Sequence, residues 1–218
     1  MIGGTGATGK HLLAGLIKNN NCEMVTSIGR RPVLGGKKHD KLLDVVIEDM
    51  SDFTSTNEYW KDNDVFFNCI GTTRRLAGSA KQFVDIEYGI SNEAAKMAAN
   101  ANIPHASLIS AKGANYNIWS KDWIHPLLYI KTIGMKEQTI ISNNYFSHIS
   151  IFQPGMLIRL KGNQYSWYEN FFDLTGLSIR VDILALAMML DADRVHQDSI
   201  EKTKNYFIGN SKIKNCIK

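Results

Sequence analysis

Five short apolar runs constrain the fold of this chain most: "MVTSIG" at 24–29, "LLDVVIE" at 42–48, "DVFFNCIG" at 64–71, "HASLIS" at 105–110 and "SHISIF" at 147–152. They are rich in Val, Ile and Phe, end at turn residues, and alternate little between apolar and polar. Strands buried on both faces read this way, because neither face meets water. Between them lie stretches with helical patterning, over 8–19, near 55–61, and over 81–101, 127–143 and 182–193. Within 81–101, Phe83, Ile86, Ile90, Ala94, Met97 and Ala101 recur at helical spacing and predict one continuous helix with a single buried stripe. Strands separated by helices predict an α/β fold, a doubly wound parallel sheet covered on both faces. At 218 residues, the whole span 1–218 fits one domain of this kind.

Charge and cysteine usage remove several function classes. The net charge is +4, from 25 basic and 21 acidic residues, and the densest basic cluster is "GRRPVLGGKK". A nucleic-acid binder would show a basic stripe, so no nucleic-acid partner is expected. Cys22, Cys69 and Cys216 are far apart, with no CxxC pair and no metal-ligand spacing. They read as thiols in a reducing compartment, and no metal is expected. No apolar run reaches the ~18 residues that a membrane span needs, so no transmembrane segment is expected. The first residues lack the charged-then-apolar pattern of a secretory leader. A cytoplasmic location is the default expectation.

The chain opens "MIGGTGATGK". Gly4 to Lys10 approaches the P-loop pattern, but His11 stands where a hydroxyl would bind Mg²⁺, and imidazole is a poor ligand for that hard cation. The run "VFFNCI" also ends without the Asp of a Walker-B strand. Gly3, Gly6 and Gly9 fit a second template better. Glycines at this spacing allow a tight turn, close approach of backbone to a pyrophosphate, and close packing of the next helix. The phosphates then lie over the helix N-terminus, where free N–H groups and the helix dipole favour anions. A plain structural turn is the alternative. The second strand ends in "IGRRP", where a cofactor with a free ribose 2′-hydroxyl would want an Asp or Glu. Arg30 and Arg31 suit a 2′-phosphate instead, through charge-assisted bidentate bonds. The pair favours NADP(H) over NAD(H), with a solvated basic turn as the alternative.

The order GGTGATG, IGRR, CIGTTRRLAGS, FVDIEYGISNEAAK, LISAKGAN, LLYIK and IFQPGMLI resembles the Tat-interacting-protein oxidoreductases. These are atypical short-chain dehydrogenase/reductases with a Rossmann fold, and they include a fungal mitochondrial branch. The likeness runs from Gly3 to about Ala192, and "CIGTTRRLAG" with the long helix after it is its most specific part. It implies NADP(H) held at the phosphates by Thr5, Gly6, Ala7 and Thr8, beside Gly3 and Gly9, and at the 2′-phosphate by Arg30 and Arg31. Ile70 and Gly71 would lie along the cofactor. Pro154, Gly155 and Leu157 would close over its nicotinamide side. The family's regulatory roles imply protein partners, including nuclear import and transcription factors, and locations at the nucleus or the mitochondrial surface.

The resemblance also implies a serine–tyrosine–lysine constellation. The tyrosine gives a proton to a carbonyl as hydride arrives, the lysine lowers the tyrosine pKa, and the serine orients the substrate oxygen. The tyrosine maps to Tyr129 and the serine to Ser110. The lysine should stand four residues after the tyrosine, on the same helix face, and that position is Ile133. Lys131 points to the opposite face. Lys136 returns to the face but lies ~10 Å along the axis, at 1.5 Å per residue, and would have to reach back. Further departures are Ser110-Ala111 in place of a Ser-Ser pair, Gln153 in place of Arg before Pro-Gly, and an extra segment, "YNIWSKDWIHP". Trp119 and Trp123 in that segment are expected to cap a core, or else to wall a pocket or partner surface, and His125 to be structural.

Two functions follow. One is an NADPH-dependent reductase of a small carbonyl compound. The other is a catalytically weak NADPH-binding regulatory or scaffold protein, favoured by the loss of lysine at position 133. The strand before a dinucleotide loop is normally central, and Met1 and Ile2 supply only its last step. Strands usually have about five or six residues, so about four are expected upstream of Met1. Losing three buried side chains there would forfeit roughly 4–9 kcal/mol, so a chain starting at Met1 is expected to fold poorly.

Overall fold

A computed structural model describes residues 1–142, 145–158, 178–197 and 202–217. The runs read as strands form β1 (Val25–Gly29), β2 (Leu42–Val46), β3 (Val65–Asn68), β4 (His105–Ile109) and β5 (His148–Gln153). Three further strands are β6 (Met156–Ile158), β7 (Ser178–Arg180) and β8 (Thr203–Ile208). The helices are α1 (Gly9–Lys18), α2 (Arg74–Ala77), α3 (Ala80–Val84), α4 (Ile90–Asn100), α5 (His125–Ile141), α6 (Val181–Gln197) and α7 (Asn210–Asn215). A 3₁₀ segment covers Thr54–Trp60. Each expected helix is present within a few residues, and residue 143 lies outside the described residues.

Among the described residues every strand pair is parallel: β1 with β2, then β3-β4-β5-β8 in that order, and a separate short pair β6 and β7. Ile2 joins the first two groups. It bridges Ile28 on one side and Asn68 on the other. Its N–H donates to the Phe67 carbonyl at 3.0 Å, and its carbonyl accepts from Cys69 N–H at 3.1 Å. From Ile2 the chain runs outward to β1 and β2, then returns on the other side to β3. This reversal of strand order opens a crevice beyond the carboxyl ends of the strands, where ligands bind in such sheets.

Helices cover both faces, as the unalternating strands require. One core packs Ile28, Phe53, Trp60, Phe66 and the Ala94, Ala95, Ala98 and Ala99 face of α4 around Ile2. The other packs Leu12, Leu13 and Leu16 of α1 with Leu184, Ala187 and Met188 of α6, against Val25, Phe67 and Phe152.

Beyond the expected elements stand β6, β7, β8 and α7, and the helix expected over 81–101 is altered. The stretch 81–101 is not one uniform helix: α3 and α4 are joined by a π-helical turn, Asp85–Gly89. Its wider turn shifts the inward face, so Glu87 and Ser91 are buried while Ile86, Ile90 and Met97 are half-buried. β8 went unread because it lies at the edge of its sheet, where its residues alternate between half-buried and exposed. Alternation with Lys204 and Asn205 in the run hides such a strand from a search for continuous apolar stretches.

Candidate functional site

A cavity of about 570 Å³ opens beyond the ends of the central strands. Gly3, Gly4, Thr5 and Gly6 form its floor, Gly29, Arg30 and Arg31 one wall, and Cys69, Ile70, Gly71 and Thr72 the opposite wall. Leu76, Ala77 and Gln82, with Asp85 and Ile86 of the π-turn, close the far side. Ala7, Thr8 and Gly9, also expected at the phosphates, are not among its lining residues; they lead into α1, which begins at Gly9.

The glycines are required by contact. Gly3 has φ +78°, a left-handed conformation that favours glycine, and a Cβ on it would stand 2.5 Å from the Cys69 carbonyl carbon. A Cβ on Gly9 would stand 2.1 Å from the Gly3 carbonyl oxygen. The loop is thus pressed onto β3 below and α1 behind, with Gly6 N–H donating to Gly3 C=O at 2.9 Å. Thr8 makes no side-chain cap at the start of α1, and its first turn carries no acidic residue. Lys10 N–H bonds the Gly6 carbonyl at 3.1 Å and His11 and Leu12 N–H the Thr8 carbonyl at 3.0 Å, so the N–H groups left as donors for an anion among the described residues are those leading into α1, at Ala7, Thr8 and Gly9.

The arginine wall is fixed from β2. The Asp44 carboxylate accepts from Val33 N–H at 2.9 Å, which ties down the turn that follows Arg30 and Arg31. Both arginines are exposed, and neither is in a salt bridge among the described residues. Two cations with no carboxylate partner face the cavity. The Cys69 thiol in the opposite wall is pushed up to about 12 by burial, which leaves it protonated; nearby Lys136 pulls it partly back.

The expected catalytic positions do not line this cavity. Tyr129 is 41% exposed on α5, with its ring 6.0 Å from that of Phe83. Ile133, at the lysine position, is buried at 3% exposure. Lys136 is buried as well, and its ammonium is bonded to the Ile70 carbonyl at 2.5 Å and the Glu87 carboxylate at 3.2 Å. Ser110, at the end of β4, donates its hydroxyl proton to Glu137 Oε1. Gln153 Nε2 donates to the same oxygen at 2.6 Å. Burial raises the Glu137 carboxyl above its usual range, against the hydrogen bonds from Ser110 and Gln153 and the charge of Lys136. Gln153, at the position where the resemblance expects Arg, thus supplies Glu137 with an amide instead of a cation. While Glu137 is ionised, Ser110 has no proton to offer a substrate oxygen.

Leu157, on β6, is half-buried against the second core and does not line the cavity. Trp119 and Trp123 cap no core: they are 62% and 73% exposed, because the segment carrying them runs over the surface. Its start is pinned to α5, where Asn115 N–H donates to the Ile130 carbonyl at 3.1 Å. A Cβ on Gly134 would stand 2.3 Å from Tyr116 N, so the glycine admits this close approach. His125 is exposed at the first residue of α5. Glu87 and Glu137 were not singled out in the sequence. Each is a lone acid inside a helical pattern, and its buried partners lie far away along the chain.

Among curated proteins, the chain is 32% identical over 172 residues to Protein FMP52, mitochondrial, of Meyerozyma guilliermondii, covering 78% of this chain and 69% of that protein. The chain belongs to the FMP52 and HTATIP2 family. It is also 36% identical over 159 residues to the mitochondrial FMP52 of Debaryomyces hansenii, and 32% identical over 161 residues to Protein HTATIP2 of Rattus norvegicus. Each match covers 72% of this chain, with 66% and 62% of the relative. The chain thus spans about two thirds of the length of these relatives. No family model matches the sequence. Among solved structures, Bordetella bronchiseptica WbmH in complex with NAD⁺ superposes with a TM-score of 0.67 at 14% identity, covering 96% of this chain and 74% of that one. A UDP-N-acetylglucosamine 4-epimerase from Methanobrevibacter ruminantium M1 gives 0.66 at 17% identity, over the same shares. These likenesses show a Rossmann fold. No helix among the described residues is long and apolar enough to cross a membrane.

Proposed function

We propose that this chain binds NADP(H) in the cavity between the glycine loop, the Arg30–Arg31 turn and the end of β3, as an oxidoreductase-like member of its family. One observation carries the reading: two exposed arginines, without carboxylate partners among the described residues, stand in the wall of a cavity whose floor is a glycine cradle that side chains would fill. The loop and the start of α1 suit the pyrophosphate. Arg30 and Arg31 suit the 2′-phosphate, which a free 2′-hydroxyl could not match as a partner for two guanidiniums. The NAD⁺ in WbmH supports a nicotinamide dinucleotide as the class of ligand.

The bound cofactor would supply hydride to a small carbonyl compound. Tyr129 is the proposed proton donor to the carbonyl oxygen, with Ser110 assisting. The second reading, a weakly catalytic NADPH-binding regulatory protein, is favoured by three features. Ile133 gives Tyr129 no cation, Lys136 is bonded elsewhere, and Glu137 holds the Ser110 proton.

Turnover of a carbonyl panel with NADPH separates the two, using wild type, Tyr129→Phe and Ile133→Lys. Turnover that Tyr129→Phe abolishes supports the reductase. Binding without turnover, with activity appearing only in Ile133→Lys, overturns it in favour of the regulatory reading. The names of the fungal relatives favour a mitochondrial location over the cytoplasmic default.

A further inference from the structure

Glu87 and Lys136 form an ion pair almost out of water: their side chains are 3% and 2% exposed, and Nζ lies 3.2 Å from Oε2. Burying two charges costs more than their attraction returns unless further hydrogen bonds complete both groups. Here the completing bonds go to one short piece of backbone. Lys136 Nζ donates to the Ile70 carbonyl at 2.5 Å, and Glu87 Oε1 accepts from Thr72 N–H at 2.5 Å. The ladder from β3 to β4 stops at Asn68 and Leu108, so these backbone groups have no strand to pair with. Unpaired backbone groups away from water are disfavoured. The ion pair supplies both missing partners.

Ile70, Gly71 and Thr72 all line the cavity. The pair stands behind them: a Cβ on Gly71 would lie 3.9 Å from Glu87 Oε1. The π-turn that carries Glu87 inward also presents Asp85 and Ile86 to the cavity, and π-turns recur at functional sites.

We propose that Glu87 and Lys136 are positioning residues that clamp the Ile70–Thr72 turn as a wall of the dinucleotide cavity. The proposal rests on the reading of that cavity as a cofactor site. Lys136 acts through backbone at the cofactor rather than through Tyr129. The clamp bonds to the wall opposite Arg30 and Arg31, so it serves NADPH and NADH alike.

The test uses Glu87→Leu/Lys136→Met, which removes both charges together and leaves no unpaired buried ion. Removing the charges as a unit avoids an uncompensated buried ion, while Ile70 C=O and Thr72 N–H lose their partners, so a cooperative melt should persist with a midpoint modestly below that of wild type. Thr72 amide exchange, read by NMR in the free protein, should accelerate about tenfold, the scale of one lost charge-assisted hydrogen bond. Dissociation constants for NADPH and NADH, read by fluorescence titration, should rise by a common factor of about ten or more. Glu87→Gln, which keeps an acceptor for Thr72, should retain slow exchange at that amide and gives a second readout if the double variant fails to fold. Wild-type exchange at Thr72 in the double variant, faster exchange with unchanged dissociation constants, or Glu87→Gln exchanging fast would each overturn the clamp. If wild type binds neither dinucleotide, the cofactor reading falls by itself, and Thr72 exchange still decides whether the pair holds the turn.

Discussion

Asp191 on α6 is buried at 4% exposure, and its Oδ2 has no hydrogen-bond partner among the described residues. Beside it, His105 Nε2 lies 3.0 Å from Ser150 Oγ and 3.9 Å from Asp191 Oδ2. Burial raises the Asp191 carboxyl from 3.8 to about 6, although a Ser150 hydrogen bond and the Arg194 charge pull it down. Burial also holds His105 down to about 3, with the His148 charge acting in the same direction, so the imidazole is neutral at pH 7. The Ser150 hydroxyl can accept from the Nε2–H tautomer and donate to the carboxyl. Below pH 3.8 both folded and unfolded chains keep the Asp191 proton, and the group contributes nothing. Between 3.8 and about 6 the unfolded chain releases it first, so stability falls as pH rises. Above about 6 the native state bears the whole difference, about 3 kcal/mol at about 1.4 kcal/mol per pH unit.

Asp191→Asn keeps an acceptor for Ser150 and removes the charge. It should stabilise the protein at pH 7 by up to about 3 kcal/mol, and the gain should shrink to near zero at pH 4. Urea denaturation of both proteins from pH 4 to 8 measures it. His105 titrates in both, so its effect cancels to first order in the difference. A variant less stable than wild type at pH 7 would show that the carboxylate is favourably paired in the native state, and would refute the reasoning.

Gly9→Ala should abolish tight dinucleotide binding, because its Cβ would stand 2.1 Å from the Gly3 oxygen and force the loop off its seat. Gly89→Ala, with nothing within 4 Å of its Cβ, should leave binding intact in the same calorimetric titration. Thr56→Val should cost about 1–3 kcal/mol in chemical denaturation. It removes the oxygen that accepts from the buried Trp60 indole at 2.8 Å and the hydroxyl that donates to Phe53 C=O at 2.6 Å.

The fold was legible because its determinants are local. Strands buried on both faces are continuous apolar runs, and the glycine loop lies within ten residues of its helix. β8 escaped because an edge strand keeps a wet side. The site was legible only where neighbours in sequence are neighbours in space: Gly3, Gly6, Arg30 and Arg31 reach the cavity from the ends of consecutive elements. The contacts of Lys136 join it to residues 49 and 66 positions away. Its distance along α5 from Tyr129 was readable, but the acceptors that claim its protons were not. The same holds for Ser110, whose acceptor Glu137 lies 27 positions on. Trp119 and Trp123 misled because aromatic size suggests burial, whereas a loop crossing the surface leaves them exposed.

The central claim is that Arg30 and Arg31 read a 2′-phosphate. Dissociation constants for NADPH and NADH, measured on wild type and on Arg30→Ala/Arg31→Ala, test it most directly. Wild type should prefer NADPH. The variant should lose about a hundredfold or more in NADPH affinity, at about 1.5–3 kcal/mol for each charged contact, with little change for NADH. An equal loss for both dinucleotides, or a wild type that prefers NADH, would contradict the account.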